Sequence, residues 1–167
     1  SGDLGVSGQS ANSSSIRQEI DGREAIKVAL PNAAKSVTLK VSNFNLNDDG
    51  TAYAEAGLLR LIDAAGHVVG EKAFTAVSAT GLAQISLDTD VGFTGIEVLT
   101  GAYEAGQFEH GAYAYPDGSF GHEFYQETPS RSHGSEFLID EMDFVFEQPP
   151  EIIGVAATPG ALELGLG

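Results

Sequence analysis

The sequence predicts an all-β fold, an antiparallel β-sandwich of jelly-roll type that carries one long functional loop. Three observations lead there. Short apolar runs alternate with polar or small residues along the 167-residue chain, the period of two that marks half-buried strands. Gly, Asn, Asp and Pro separate these runs, and each of them favours turns. Apolar residues at helical spacing, with capping residues at their ends, are hard to find.

Taken in chain order, Ile26, Val28 and Leu30 alternate with polar or small residues up to Pro31 and predict one half-buried strand. Val37, Leu39 and Val41 predict a second. A denser apolar run over 58–63 ends in Asp63-Ala64-Ala65-Gly66, after which His67-Val68-Val69 resumes, the pattern of a hairpin. Ala83, Ile85 and Leu87 form another alternating strand; 93–99 follows Gly92 as the next, and 137–146 is the last strong one. About eight strands emerge, spaced as in a sandwich or jelly roll.

Two stretches break the rhythm. Residues 101–134 hold seven of the fourteen aromatic residues, Tyr103, Phe108, Tyr113, Tyr115, Phe120, Phe124 and Tyr125, among Gly, His and Glu. A loop of that length is usually functional or disordered, and an acidic disordered segment is poor in aromatics. Residues 148–167 open with Pro149-Pro150 and end in small residues, which reads as a final edge strand over 152–156 or as a linker. The length fits one domain. We therefore assign 1–148 to a single ligand-binding sandwich and 149–167 to a C-terminal edge strand or linker.

The charge is strongly acidic, 24 acidic residues against 8 basic ones for a formal net charge of −16. Such a field repels nucleic acid and anionic lipid and attracts cations. It is also lopsided: residues 1–72 contain nine acids and seven bases, residues 73–167 fifteen acids and one base, Arg131. Divalent cations held by oxygen ligands would relieve that crowding, and an acidic surface adapted to salty surroundings is the competing account. There is no cysteine, which rules out disulfides, thiolate metal sites and a cysteine nucleophile. No apolar run approaches the ~18 residues that span a bilayer. Residues 1–15 lack the basic and apolar regions of a signal peptide, so a secreted protein would be represented here by an excised piece.

The candidate metal ligands come from three places. Asn45-Leu46-Asn47-Asp48-Asp49-Gly50 sets oxygen-bearing side chains at alternate positions with glycine sixth, as in calcium loops, which nominates Asn45, Asn47 and Asp49. The twelfth position, where such loops carry a bidentate Glu, is Ala56, with Glu55 one residue short; a plain Asn/Asp/Gly turn is the alternative. In the last strand, alternation groups Asp140 with Leu138, Met142, Phe144 and Phe146. A carboxylate on an apolar face needs a partner or a metal, unless a bulge or the sheet rim turns it to water. Asp21 lies in the acidic cluster of Glu19, Asp21 and Glu24 and would approach Asp140 if the first and last segments pair.

The long loop supplies the candidate ligand-binding residues: Tyr103, Glu104, Phe108, Glu109, Tyr113, Tyr115, Asp117, His122 and Glu123. Carboxylates hold hard cations and aromatic rings make flat apolar walls. The competing reading makes the aromatics a satellite core that orders the loop. Signs of an enzyme are weak. There is no Gly-x-Ser-x-Gly elbow, and although Ser132, His133 and Ser135 are adjacent, sequence neighbours seldom form the spatial triad that activates a serine. His110, His122 and His133 lack zincin spacing. Asp117 and Glu123 as a glycosidase pair have nothing to fix their separation. We expect a binding protein and not an enzyme.

Several phrases occur in a telling order: Leu4-Gly5-Val6-Ser7-Gly8; Gln18-Glu19-Ile20-Asp21-Gly22-Arg23-Glu24; Lys35-Ser36-Val37-Thr38-Leu39-Lys40-Val41-Ser42-Asn43. Asp63-Ala64-Ala65-Gly66-His67-Val68-Val69-Gly70, Gly92-Phe93-Thr94-Gly95-Ile96-Glu97 and Gly134-Ser135-Glu136-Phe137-Leu138-Ile139-Asp140 continue it. Over roughly residues 4–147 this order resembles β-sandwich modules near the ligand-binding end of large bacterial repeats-in-toxin (RTX) adhesins, above all their peptide-binding domain. The resemblance implies a calcium-dependent module at the bacterial cell surface, a monomeric part of a larger chain. It would recognise the free C-terminus of a peptide or protein on a host or neighbouring cell, with Ca2+ coordinating the peptide carboxylate. The alternative it leaves open is a calcium-dependent carbohydrate-binding or scaffold sandwich. The chain contains no Gly-Gly-x-Gly-x-Asp calcium repeats, which in such adhesins lie in a separate segment.

Overall fold

The computed structural model describes residues 20–21, 24–47, 54–104, 106–114, 120–121 and 135–147. Their nine strands are β1 (Ile20–Asp21), β2 (Ala25–Ser42), β3 (Ala56–Ile62), β4 (Val68–Thr75), β5 (Ala83–Glu104), β6 (Gln107–His110), β7 (Tyr113–Ala114), β8 (Phe120–Gly121) and β9 (Glu136–Phe146). There is no helix among the described residues, so the all-β expectation holds. One antiparallel sheet has the order β1-β9-β2-β5-β3-β4, with β6 pairing β5; β7 and β8 pair with each other.

Two expected pairs of strands are single strands. β2 runs unbroken through Pro31, and β5 runs from Ala83 through Gly92 to Glu104. The reason lies in the ladder between them. Pairing is regular from Ala25↔Leu99 to Ala29↔Gly95 and again from Ser36↔Asp88 to Val41↔Ala83, but shifts register in between. Pro31 falls inside the shifted stretch, where its missing N–H interrupts no ladder bond. The bulged segments bend both strands. Each thus passes from one half of the sheet, β1-β9-β2-β5, to the other, β2-β5-β3-β4.

The bend brings the two halves onto one core. Val37, Leu39 and Val41 of β2, Ile85 of β5, and Phe137 and Ile139 of β9 cluster with Leu59 and Leu61 of β3, Phe74 of β4, and Ile96 and Val98 of β5. This is sandwich-like packing in which both halves belong to one ladder. At the open seam side chains bridge the halves, Lys72 Nζ donating to the Ser86 carbonyl at 3.0 Å and Thr89 Oγ1 to that of Val69 at 3.4 Å.

The hairpin over 58–69 forms as expected, β3 pairing β4 from Ala56↔Thr75 to Ile62↔Val68. Asp63 organises its turn by accepting the N–H groups of His67 (2.8 Å) and Ala65 (2.9 Å). The bond from the His67 N–H, more than any other, holds its carboxyl below the usual carboxylate range.

One end of the core is aromatic. Phe44, Phe74 and Phe137 stand with ring centroids 5.2–5.7 Å apart in tilted and edge-on geometry, the arrangement the ring quadrupole favours. Gly57 makes room for them, since a Cβ there would lie 2.4 Å from Phe74 and 2.9 Å from Phe137.

Candidate functional site

The stretch 101–134 leaves the sheet at this aromatic end. Its first part is regular structure, which corrects the expectation of a loop from residue 101 onward. β5 continues to Glu104, and β6 returns along it with Gly101↔His110, Ala102↔Glu109, Tyr103↔Phe108 and Glu104↔Gln107 in register. Gly101 permits the close return: a Cβ there would sit 2.1 Å from the Glu109 carbonyl oxygen. The Thr100 carbonyl accepts His110 Nδ1 at 2.9 Å and Gly111 N–H at 3.1 Å.

Where the stretch rejoins the sheet, the anchoring is buried and polar. Ser135, 4% exposed, accepts the Ala56 N–H on Oγ at 2.6 Å and donates to the Gly101 carbonyl at 2.6 Å. One hydroxyl thus ties the start of β3, the departure of the excursion and its return. Glu55, 1% exposed, does the same for two other segments: Oε1 accepts the Glu136 N–H at 2.9 Å, and Oε2 accepts the Asn45 N–H. The Glu55 N–H returns to the Asn45 carbonyl at 3.0 Å. Sequence reasoning noticed Glu55 only as falling one short of a calcium-loop position. Its role as a buried organiser of main-chain groups has no signature in local spacing.

The nominated ligand-binding residues fall into three groups. Tyr103, 39% exposed, faces Phe108 across the β5–β6 ladder, and Phe108 and Glu109 are half-buried. Glu104 and Tyr113 are placed by their backbones in β5 and β7, and their side chains lie outside the described part. Tyr115, Asp117, His122 and Glu123 lie outside the described residues.

The register keeps Asp21 and Asp140, the two nominated carboxylates that lie in described strands, apart. The first and last segments do pair, but the register sets Asp21 opposite Glu136, with Ile20 opposite Phe137. Asp140 is four residues further along β9, roughly 13 Å at the rise of an extended strand. Asn45 and Asn47 are exposed, and Asn45 directs its side-chain amide to the Asn43 carbonyl at 3.1 Å; Asp49 lies outside the described residues. No group of three or more His, Asp or Glu is placed to hold a metal among the described residues.

Asp140 itself is not on an apolar face. The β2–β9 ladder pairs Lys40↔Glu141 and then Val41↔Ile139, so Asp140 is the extra residue of a bulge. A bulge reverses the parity of a strand. Phe137 and Ile139 point into the core before it, Met142 and Phe144 pack against the core after it, and Asp140 is exposed. The period-2 reading assumed a regular strand and so assigned Asp140 and Leu138 to the face of Met142.

On the solvent face of this bulge lies a groove of about 350 Å³ lined by Lys40, Val41, Leu82, Ala83, Gln84 and Asp140. Ser42 Oγ donates to Asp140 Oδ1 at 2.5 Å. Lys40 Nζ lies 2.7 Å from Glu141 Oε2, and this bond raises the lysine's pKa above its usual value. No protein-family model, no curated protein and no solved structure matches the chain, so its likeness to adhesin modules rests on the order of the sequence phrases.

Proposed function

We propose that this chain is a calcium-dependent ligand-binding module of a bacterial surface adhesin, with 101–134 as its recognition segment and the C-terminal carboxylate of a peptide as its ligand. The observation that supports this reading is the anchoring of that segment. Ser135, Gly101, Ala56 and Glu55 clamp both its ends to the rigid aromatic end of the sheet, which is how a scaffold presents a binding loop. The segment offers Tyr103 and Phe108 as apolar surface and the carboxylates Glu104, Glu109, Asp117, Glu123 and Glu127 against the single base Arg131.

A carboxylate ligand approaching a chain of charge −16 is repelled unless a cation bridges the two, and Ca2+ with oxygen ligands is suited to do so. Asp21 and Asp140 are too far apart to share one ion, so calcium in this reading is held by carboxylates of the 101–134 segment.

Calorimetric titration with peptides tests the reading. Peptides with a free C-terminus should bind in calcium, lose about tenfold or more in affinity on amidation, the loss of one charged contact, and fail to bind in chelator. Equal affinity for the amidated peptide, or binding indifferent to chelator, overturns the proposal. Binding to a glycan instead would establish the carbohydrate-binding alternative.

A further inference from the structure

The groove at the Asp140 bulge lies on the other side of β9 from the core and plays no part in the reading above. Its walls come from three strands. Lys40 and Ser42 of β2 and Gln84 of β5 alternate with the buried Leu39, Val41 and Ile85 and so face solvent; the bulge adds Asp140, and Leu82, 59% exposed, closes one side.

The charges of this surface are unequally matched. Lys40 and Glu141 neutralise each other at 2.7 Å. Asp140 has only the neutral hydroxyl of Ser42 on Oδ1, so its negative charge has no cationic partner among the described residues. Gln84 contributes an amide that makes no hydrogen bond among the described residues, and Leu82 an uncovered aliphatic surface beside it.

From this arrangement we propose that the groove binds a guanidinium, the side chain of an arginine presented by a partner polypeptide. The planar head can donate to the second oxygen of Asp140, and Gln84, on β5 across the intervening β2, offers a second acceptor for the outer N–H groups. The arginine methylenes then lie along Leu82 and the aliphatic stem of Lys40. Calcium fits less well. It takes about six to eight oxygens, whereas the groove offers only those of Asp140, Gln84 and the neighbouring Ser42.

Amide shifts of the whole 15N-labelled chain, titrated with Nα-acetyl-arginine methylamide, provide the test. Saturable shifts should centre on Leu82, Ala83, Gln84 and Asp140, weaken as NaCl is raised, and be absent with the uncharged citrulline analogue. Asp140→Asn should reduce affinity by about tenfold or more, the scale of one charged hydrogen bond. Leu82→Ala, away from the bulge, should weaken binding without loss of fold. Asp143→Asn on the same strand should leave it unchanged. Equal shifts from the citrulline analogue, full affinity in Asp140→Asn or Leu82→Ala, or the same shifts from Ca2+ alone would overturn the assignment.

Discussion

Ser135 and Glu55 show how single polar side chains fix the end of this sheet. Each is almost wholly buried and each satisfies main-chain groups from two other segments. A buried N–H or carbonyl left without its partner loses both water and protein hydrogen bonds. Ser135→Ala strands the Ala56 N–H and the Gly101 carbonyl and should lower stability by about 1–3 kcal/mol, measured by urea denaturation, with amide exchange quickening first around 56 and 101. An unchanged midpoint would mean that the clamp contributes nothing. No clamping role for Ser135 was legible in the sequence, because partners so distant in the chain, Ala56 and Gly101, cannot be read from adjacency. Asp63 is the contrasting case. Its partners are Ala65 and His67, and a turn in the sequence Asp63-Ala64-Ala65-Gly66 was legible from local chemistry alone.

At the scale of the element, β9 depends on its irregularity. With Phe137 and Ile139 inward before Asp140 and Met142 and Phe144 inward after it, deleting Asp140 would restore a regular pleat and turn one of these pairs outward. The deletion should therefore abolish cooperative thermal unfolding, whereas Asp140→Ala, which keeps the backbone count, should shift the midpoint by only a few degrees, the size expected of a surface change. A well-folded deletion variant would show that the bulge is dispensable. Cross-strand charge stabilises the neighbouring strands. In β5, burial pushes the Glu97 carboxyl up, but bonds from Lys27 and Arg60, each at 3.2 Å, outweigh it and leave the group below its usual range. The long strands β2 and β5 were each read as two because Pro31 and Gly92 ordinarily end strands. Here they mark the bends.

For the whole molecule, charge is the governing quantity. The described cations of the sheet are all engaged. Lys27, Lys35, Lys40 and Arg60 pair with Glu97, Glu147, Glu141 and Glu71, and Lys72 bonds the Ser86 carbonyl. The pairs leave the net charge of −16 unchanged, and its mutual repulsion acts over about 30 Å at 0.01 M salt and about 10 Å at 0.1 M. Raising NaCl across that range should raise the melting temperature; a fall would show that the cross-strand pairs outweigh the repulsion. The sequence by itself determined the all-β class, the 58–69 hairpin, the last strand and the acidic imbalance, because period-two patterning, turn chemistry and composition are local properties. Only the tertiary structure decided that the strands on either side of Pro31 and Gly92 are continuous, that Asp21 faces Glu136, that Glu55 is a buried clamp, and that Asp140 lies on a solvent-facing bulge. Register, bulges and burial depend on which distant segment lies alongside, and one misplaced residue in a pleated strand reverses every side chain after it.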